Sequence, residues 1–155
     1  MGESSFTLLR ERAPSKIPSS ELEVMLGSSE GRSVGKWLNA NTEASDLVAT
    51  NFLFSDSAQQ VFSDDYSLAV WSRREFMVLG PKFFGVSETA IDEISLSMRF
   101  AQSPSKADAL SLTDRGVRWF VVDLDATSQR AWEPYGDVIF RTDRFWVIQL
   151  RDSTT

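Results

Sequence analysis

Apolar residues crowd most densely at one point of the chain, where Val117-Arg118-Trp119-Phe120-Val121-Val122 runs nearly unbroken from Gly116 to Asp123. Successive strand side chains point to opposite faces, so apolar residues at both parities predict a strand covered on both sides. That is the usual state of a strand inside a parallel sheet with helices above and below. Two shorter runs predict companion strands. Asp46 to Phe52 carries Leu47, Val48 and Ala49, with Thr50-Asn51 at its carboxyl end, and Phe76-Met77-Val78-Leu79 is stopped by Gly80-Pro81. Val138-Ile139-Phe140 and Phe145-Trp146-Val147-Ile148, separated by Arg141-Thr142-Asp143-Arg144, predict a closing antiparallel hairpin.

Between these runs the spacing turns helical. Val34, Trp37 and Leu38 fall at i, i+3 and i+4 from Ser33 onward, and Asn39, Asn41 and Thr42 can close that helix. Acids at Ser63-Asp64-Asp65 and bases at Arg73-Arg74 bracket Tyr66 to Trp71 as a helix dipole favours; a strand with Tyr66, Leu68 and Val70 on one face is the alternative. Ser87 can cap a helix with an Ile91, Ile94 and Met98 stripe that Ser103-Pro104 interrupts. Ser105 and Asp108 then have capping-box spacing ahead of the stop at Gly116. Leu53 to Asp65 is polar and reads as a long loop with a helical turn at Ala58-Gln59-Gln60, and such loops often carry function. Residues 1 to 30, rich in Ser, Pro and Glu, read as a linker with one short helix near Glu21 to Leu26, and residues 31 to 152 as a single α/β domain. The expected architecture is a Rossmann-like three-layer sandwich: a mainly parallel sheet built on 47–52, 76–79 and 117–123, helices on both faces, and the C-terminal antiparallel hairpin on one side.

Composition narrows the function classes. At 155 residues and 42% hydrophobic content, one domain with a real core is expected. The 22 acidic against 16 basic residues give a charge of −6, which repels nucleic-acid phosphates and anionic lipid headgroups. Cys and His are both absent, so disulfides, thiolate sites and Ser-His or Cys-His catalysis are excluded. No apolar run approaches the roughly 20 residues needed to span a bilayer, so direct membrane insertion is not expected. Met1 to Ser5 does not resemble a signal peptide, and work outside the cytoplasm would require something upstream to carry the domain there.

Candidate chemistry gathers at strand ends. Asp123 and Asp125 lie where open α/β sheets present ligand-binding groups, and could hold Mg²⁺ or act on a sugar; the plainer reading is a solvated pair opening a loop. Thr50-Asn51 occupies the matching end of its own strand. Gly80-Pro81 with Gly85 lacks the G-x-G-x-x-G pattern, and Pro81 removes an N–H that would cradle phosphate, so no nucleotide-binding site is expected. Arg73-Arg74 could grip a phosphate, or serve the dipole of the helix they follow. Among the tryptophans, Trp119 and Trp146 are expected in the core, and Trp37, Trp71 and Trp132 at the surface.

Trp37-Leu38-Asn39-Ala40-Asn41-Thr42, then Asp46-Leu47-Val48-Ala49-Thr50-Asn51, then Leu68 to Arg74 leading into Val78-Leu79-Gly80, together resemble the soluble C-terminal domain of large multi-spanning glycosyltransferases of the C-type fold, especially actinobacterial ones. Gly116 to Val122 matches that family's later strand and Val138 to Leu150 its terminal hairpin, so the resemblance covers about residues 33 to 150. One departure is that the family's Ser-Gly-Arg stands here as Ser72-Arg73-Arg74. The resemblance implies a parent that transfers a sugar from a polyprenyl-phosphate donor in cell-envelope assembly, with this domain on the extracytoplasmic face. The family's catalytic acid lies between membrane-spanning helices outside this chain, so it implies no catalytic residue, metal or cofactor here. Its implied partners are the membrane-embedded portion of the same polypeptide and an acceptor glycan; the gathering of parallel strand ends on one rim makes Thr50, Asn51, Gly80, Asp123 and Asp125 the expected contacts, with Arg73 and Arg74 as further candidates. The alternatives are a free-standing metal-dependent enzyme using Asp123 and Asp125, and a protein-interaction domain.

Overall fold

The structure is a computed structural model and describes residues 27–56, 61–63, 65–79 and 87–152. The expected short helix near Glu21 to Leu26, the turn at Ala58 to Gln60, and Gly80, Pro81 and Gly85 lie outside the described residues. In chain order the elements are α1 (Ser29–Asn41), β1 (Leu47–Thr50), β2 (Phe54–Asp56), β3 (Val61–Phe62), α2 (Ser67–Ser72), β4 (Glu75–Phe76), α3 (Glu88–Gln102), α4 (Lys106–Asp114), β5 (Val117–Asp123), a 3-10 turn (Leu124–Ala126), β6 (Gly136–Arg141) and β7 (Phe145–Leu150).

Serine caps set three of the helix starts. The hydroxyl of Ser28 accepts from the Gly31 N–H at 3.0 Å, Ser87 from Ala90 at 3.1 Å and Ser105 from Asp108 at 3.1 Å. Each satisfies an amide that has no partner within its helix, a contribution of about 1 kcal/mol. Gly116, at φ +87°, turns the chain out of α4 and straight into β5 in a conformation that only glycine adopts without strain.

The five-stranded sheet has the order β4-β1-β5-β7-β6. Strands β4, β1 and β5 are parallel, β7 runs antiparallel to β5, and β6 antiparallel to β7, so the mixed sheet follows the expected directions. The second parallel strand is shorter than expected. Its ladder stops at Phe76, although the Met77 N–H still donates to the Val48 carbonyl at 2.8 Å and Val78 is buried. At the sheet edge the chain has one neighbour to hold it, and it leaves the ladder early.

Adjacent residues of β5 enter different cores. Phe120 packs with Phe100 and Leu112, brought by α3 and α4, whereas Trp119 packs with Val34, Leu38 and Leu68, brought by α1 and α2. Within β5 only Arg118 is exposed. Each fully buried aliphatic or aromatic side chain contributes about 1.5–3 kcal/mol, which makes this strand the most heavily stabilised line of the sheet. Residue Ile139 on β6 is a bulge: the register shifts between Val138 and Phe140, and these two pack against opposite clusters.

Four expectations change. The segment from Leu53 to Asp65 is not simply a loop: Phe54 pairs with Phe62 across a separate antiparallel ladder, their rings stacked at 5.0 Å. Strands of three and two residues are too short to leave an alternation in the sequence. Along α3, Ile91 is 49% exposed, and the buried face runs through Ile94, Leu96, Ser97, Phe100 and Ala101. The first turn of α3 overhangs the core, where Ala90 rather than Ile91 packs inward. Trp132 is fully buried rather than at the surface, because its Nε1–H donates to the Phe100 carbonyl at 3.1 Å and its ring meets Trp146 edge-on. Trp146, expected in the core, is half-buried, with the Arg141 guanidinium 4.3 Å from its ring centre.

Candidate functional site

The carboxyl ends of β1 and β5 lie side by side, because Thr50 is in register with Val121. Past that point side chains take over from the ladder. The Thr50 hydroxyl donates to the Val121 carbonyl at 2.7 Å and accepts from the Phe52 N–H at 3.0 Å. The Asn51 amide then bonds both ways with the backbone of Asp123: its Oδ1 accepts from the Asp123 N–H at 2.7 Å, and its Nδ2 donates to the Asp123 carbonyl at 3.1 Å. Both residues are buried. An asparagine side chain thus extends the parallel ladder by one rung, and its removal would leave two buried backbone groups of β5 without partners.

Asp123 and Asp125 converge at this rim as the sequence predicts, but they differ in kind. The side chain of Asp123 is 3% exposed and that of Asp125 is 71% exposed. Asp123 is therefore not half of a solvated pair. It is held in a two-pronged ion pair by Arg144, whose Nε lies 2.9 Å from Oδ1 and Nη2 3.0 Å from Oδ2, and it also accepts from the Asp125 N–H at 3.1 Å. The same Nε lies 3.2 Å from Asp125 Oδ2, and the guanidinium sits 5.0 Å from the Phe52 ring centre and 5.1 Å from that of Phe145. The Arg144 pKa is raised above its ordinary value, first by the hydrogen bond to Asp123. Burial opposes the shift, and the charges of Asp123, Asp125 and Glu30 add to it. A raised pKa on a cation means stability kept at every pH below the ordinary arginine range and lost only above it, so this guanidinium stays charged at every ordinary pH.

Arg144 is the rim residue that sequence reading missed, since it reads there as part of a turn. The signal lay in the hairpin register: Phe145 pairs with Asp123 in the antiparallel ladder, which puts residue 144 beside the end of β5. Because both carboxylates face one guanidinium, the place a divalent cation would take between them is filled by protein. Among the described residues, no group of three or more Asp, Glu, His or Cys side chains is placed to hold a metal ion. What remains open is a hollow of about 90 Å³ lined by Asn51, Asp123, Asp125, Arg144, Phe54 and Met98. At about 30 Å³ per water, it holds a few waters or one small polar group, well below the roughly 300 Å³ where ligand pockets begin.

Arg73 and Arg74 stand elsewhere. Arg74 serves the helix it follows, through Nη1 to the Ser72 carbonyl at 3.2 Å, and a second helix as well: Nε donates to Thr42 Oγ1 at 2.9 Å, and Nη2 to the carbonyls of Thr42 at 2.7 Å and Asn39 at 3.1 Å. The contacts of Nε and Nη2 close the carboxyl end of α1, where no basic residue of the helix itself stands. Arg73 is exposed and caps α2 in the left-handed conformation, at φ +53°. Trp37 is half-buried, stacked on Phe140 at 5.1 Å, and Trp71 is half-buried beneath Lys36 at 5.0 Å, so neither offers an open ring platform.

Among the described residues no helix is long and apolar enough to cross a membrane. Compared with known proteins, the sequence matches no family model and no curated protein.

Proposed function

We propose that this chain is a non-catalytic, extracytoplasmic C-terminal domain of a polyprenyl-phosphate-sugar-dependent membrane glycosyltransferase, which positions an acceptor glycan or contacts the membrane-embedded half of the same polypeptide. The reading rests on the residues that carry the resemblance. One observation favours treating those short motifs as a unit: they bond to one another. Thr42 of the helix motif receives Arg74 of the Ser-Arg-Arg motif, and the Thr50 hydroxyl of the first-strand motif donates to the Val121 carbonyl of the central-strand motif. The departure at Arg73 also has a physical reading. Its left-handed φ is the conformation that a glycine, standing there in the resembling family, takes without strain. In the same proposal the fold is a Rossmann-like three-layer sandwich, supported by the separate clusters that hold Trp119 and Phe120.

The experiment is to read the frame upstream of Met1 and express the longest product in membranes. Several hydrophobic spans ahead of this domain, with the domain accessible to protease only from the extracytoplasmic side, is the expected result. A frame with no such spans, or a domain cleaved only from the cytoplasmic side, defeats the proposal.

A further inference from the structure

A larger opening lies away from the strand-end rim. Between α4 and the turn that leads into β6 is a groove of about 290 Å³, close to the roughly 300 Å³ at which small-ligand pockets begin and about three times the rim hollow. Its floor is apolar, formed by Ala109, Leu110 and the ring of Tyr135, and all three are half-buried. Thr113 closes one side. The tyrosine is fixed from beneath, because its ring meets Phe100 edge-on at 6.1 Å and its carbonyl accepts from the Arg151 N–H at 3.1 Å.

Two cations stand at the lip, Lys106 and Arg151. Arg151 uses one terminal nitrogen on Asp137, at 2.7 Å, in an exposed pair, and a guanidinium carries further N–H donors that can turn to an oxyanion. Lys106 has no partner among the described residues. Asp152 lines the same lip and is itself engaged. Lys106 and Arg151 balance the Asp152 and Asp137 carboxylates, so in a protein of net charge −6 this lip, with an apolar floor beneath a guanidinium and an uncommitted ammonium, repels an anion less than the surface as a whole does.

We infer that this groove binds a small organic anion: one carboxylate or phosphate held by Lys106 and Arg151, on a monosaccharide-sized body lying over Leu110 and Tyr135. The inference stands apart from the proposed parent, since it uses none of the rim residues and none of the resemblance.

The test is titration of the isotope-labelled chain with sodium glucuronate, glucose 6-phosphate and neutral glucose, followed by amide NMR on the wild type and on Lys106→Ala. Both charged sugars should shift the Thr113 and Tyr135 signals with a Kd of about 1 mM, while glucose leaves them unmoved. Glucuronate moving them without glucose 6-phosphate assigns a carboxylate ligand, and the reverse assigns a phosphate. Lys106→Ala should weaken the response about five-fold at low salt, because it removes one exposed charge without altering the groove floor. Equal shifts with glucose, shifts confined to Asn51 and Asp125, or an unchanged response in the variant would each overturn the inference. Failure here leaves the membrane-parent reading standing, because that reading is decided by the upstream frame.

Discussion

At the scale of single residues, the charged groups that sequence reading offered as ligand contacts divide by burial. Asp123 is a buried carboxylate whose partner, Arg144, comes from the far end of a hairpin. Deleting one member of such a pair leaves a charge with neither water nor a partner, a loss of 3–5 kcal/mol when both are buried. Arg144 keeps partial contact with solvent, so Arg144→Met should lower unfolding stability in urea by about 3 kcal/mol, at the low end of that range. Adding Asp123→Asn to it should restore part of the loss, since the uncompensated charge is then gone. A double variant less stable than Arg144→Met alone would mean that Asp123 matters for the hydrogen bond its carboxylate accepts from the Asp125 N–H rather than for its charge. Arg73 gives a prediction of opposite sign. A left-handed residue other than glycine costs about 1–2 kcal/mol, partly offset by the greater freedom of glycine in the unfolded chain. Arg73→Gly should therefore raise stability by about 0.5–1 kcal/mol, and a lowered urea midpoint would show that the arginine side chain makes contacts that outweigh the strain.

At the scale of elements, what the sequence disclosed depends on whether an element is stabilised by its own pattern or by distant contacts. Val117 to Asp123 was legible because both of its faces are buried, and the final hairpin because two apolar runs flank a short polar turn. The Phe54–Phe62 ladder was not, since its strands are stabilised by two rings that meet only in the fold. Trp132 sits in a polar stretch, and nothing local foretells the Phe100 carbonyl that receives its indole N–H. The convergence of Asn51 on Asp123 followed from parallel topology alone, whereas Arg144 required the antiparallel register. One visible signal went unused: Gly27, Gly31 and Gly35 recur every four residues. In the fold α2 lies against this stripe so closely that a Cβ on Gly31 would strike the Ser67 hydroxyl, and one on Gly35 would stand 2.6 Å from Trp71 Cβ and 3.1 Å from the Ser67 carbonyl oxygen. Helix propensity alone favours Gly35→Ala by about 1 kcal/mol. Close packing reverses the sign: the variant should lose about 1–3 kcal/mol in urea unfolding, and a gain would mean that α2 moves away at little cost.

At the scale of the whole molecule, the strand-end rim and the proposed parent meet in one question, namely which rim residue can be changed without disturbing the frame. Asn51 and Asp123 cannot serve, because replacing Asn51 leaves two buried backbone groups unpaired and replacing Asp123 removes the two-pronged partner of Arg144, so loss of activity would then report loss of folding. Asp125 can. Its side chain is 71% exposed, its 3.2 Å contact with Arg144 is the second of that residue's ion pairs, and exposed pairs of this sort contribute about 0–1 kcal/mol. Its carboxylate borders the hollow that Asn51 and Asp123 also line. If the rim positions acceptor glycan for a membrane-embedded catalytic half, Asp125→Ala in the full-length transferase should raise KM for the acceptor several-fold with little change in kcat, since the group would bind the acceptor without touching the reacting atoms. The melting temperature of the isolated domain should stay within about 2 °C of the wild type. An unchanged KM, with the domain equally stable, would remove the rim from acceptor binding and leave contact with the membrane-embedded half as the remaining role. A fall in kcat at constant KM would instead place Asp125 on a surface whose docking assembles the catalytic centre, because only an interaction made in the transition state lowers kcat alone.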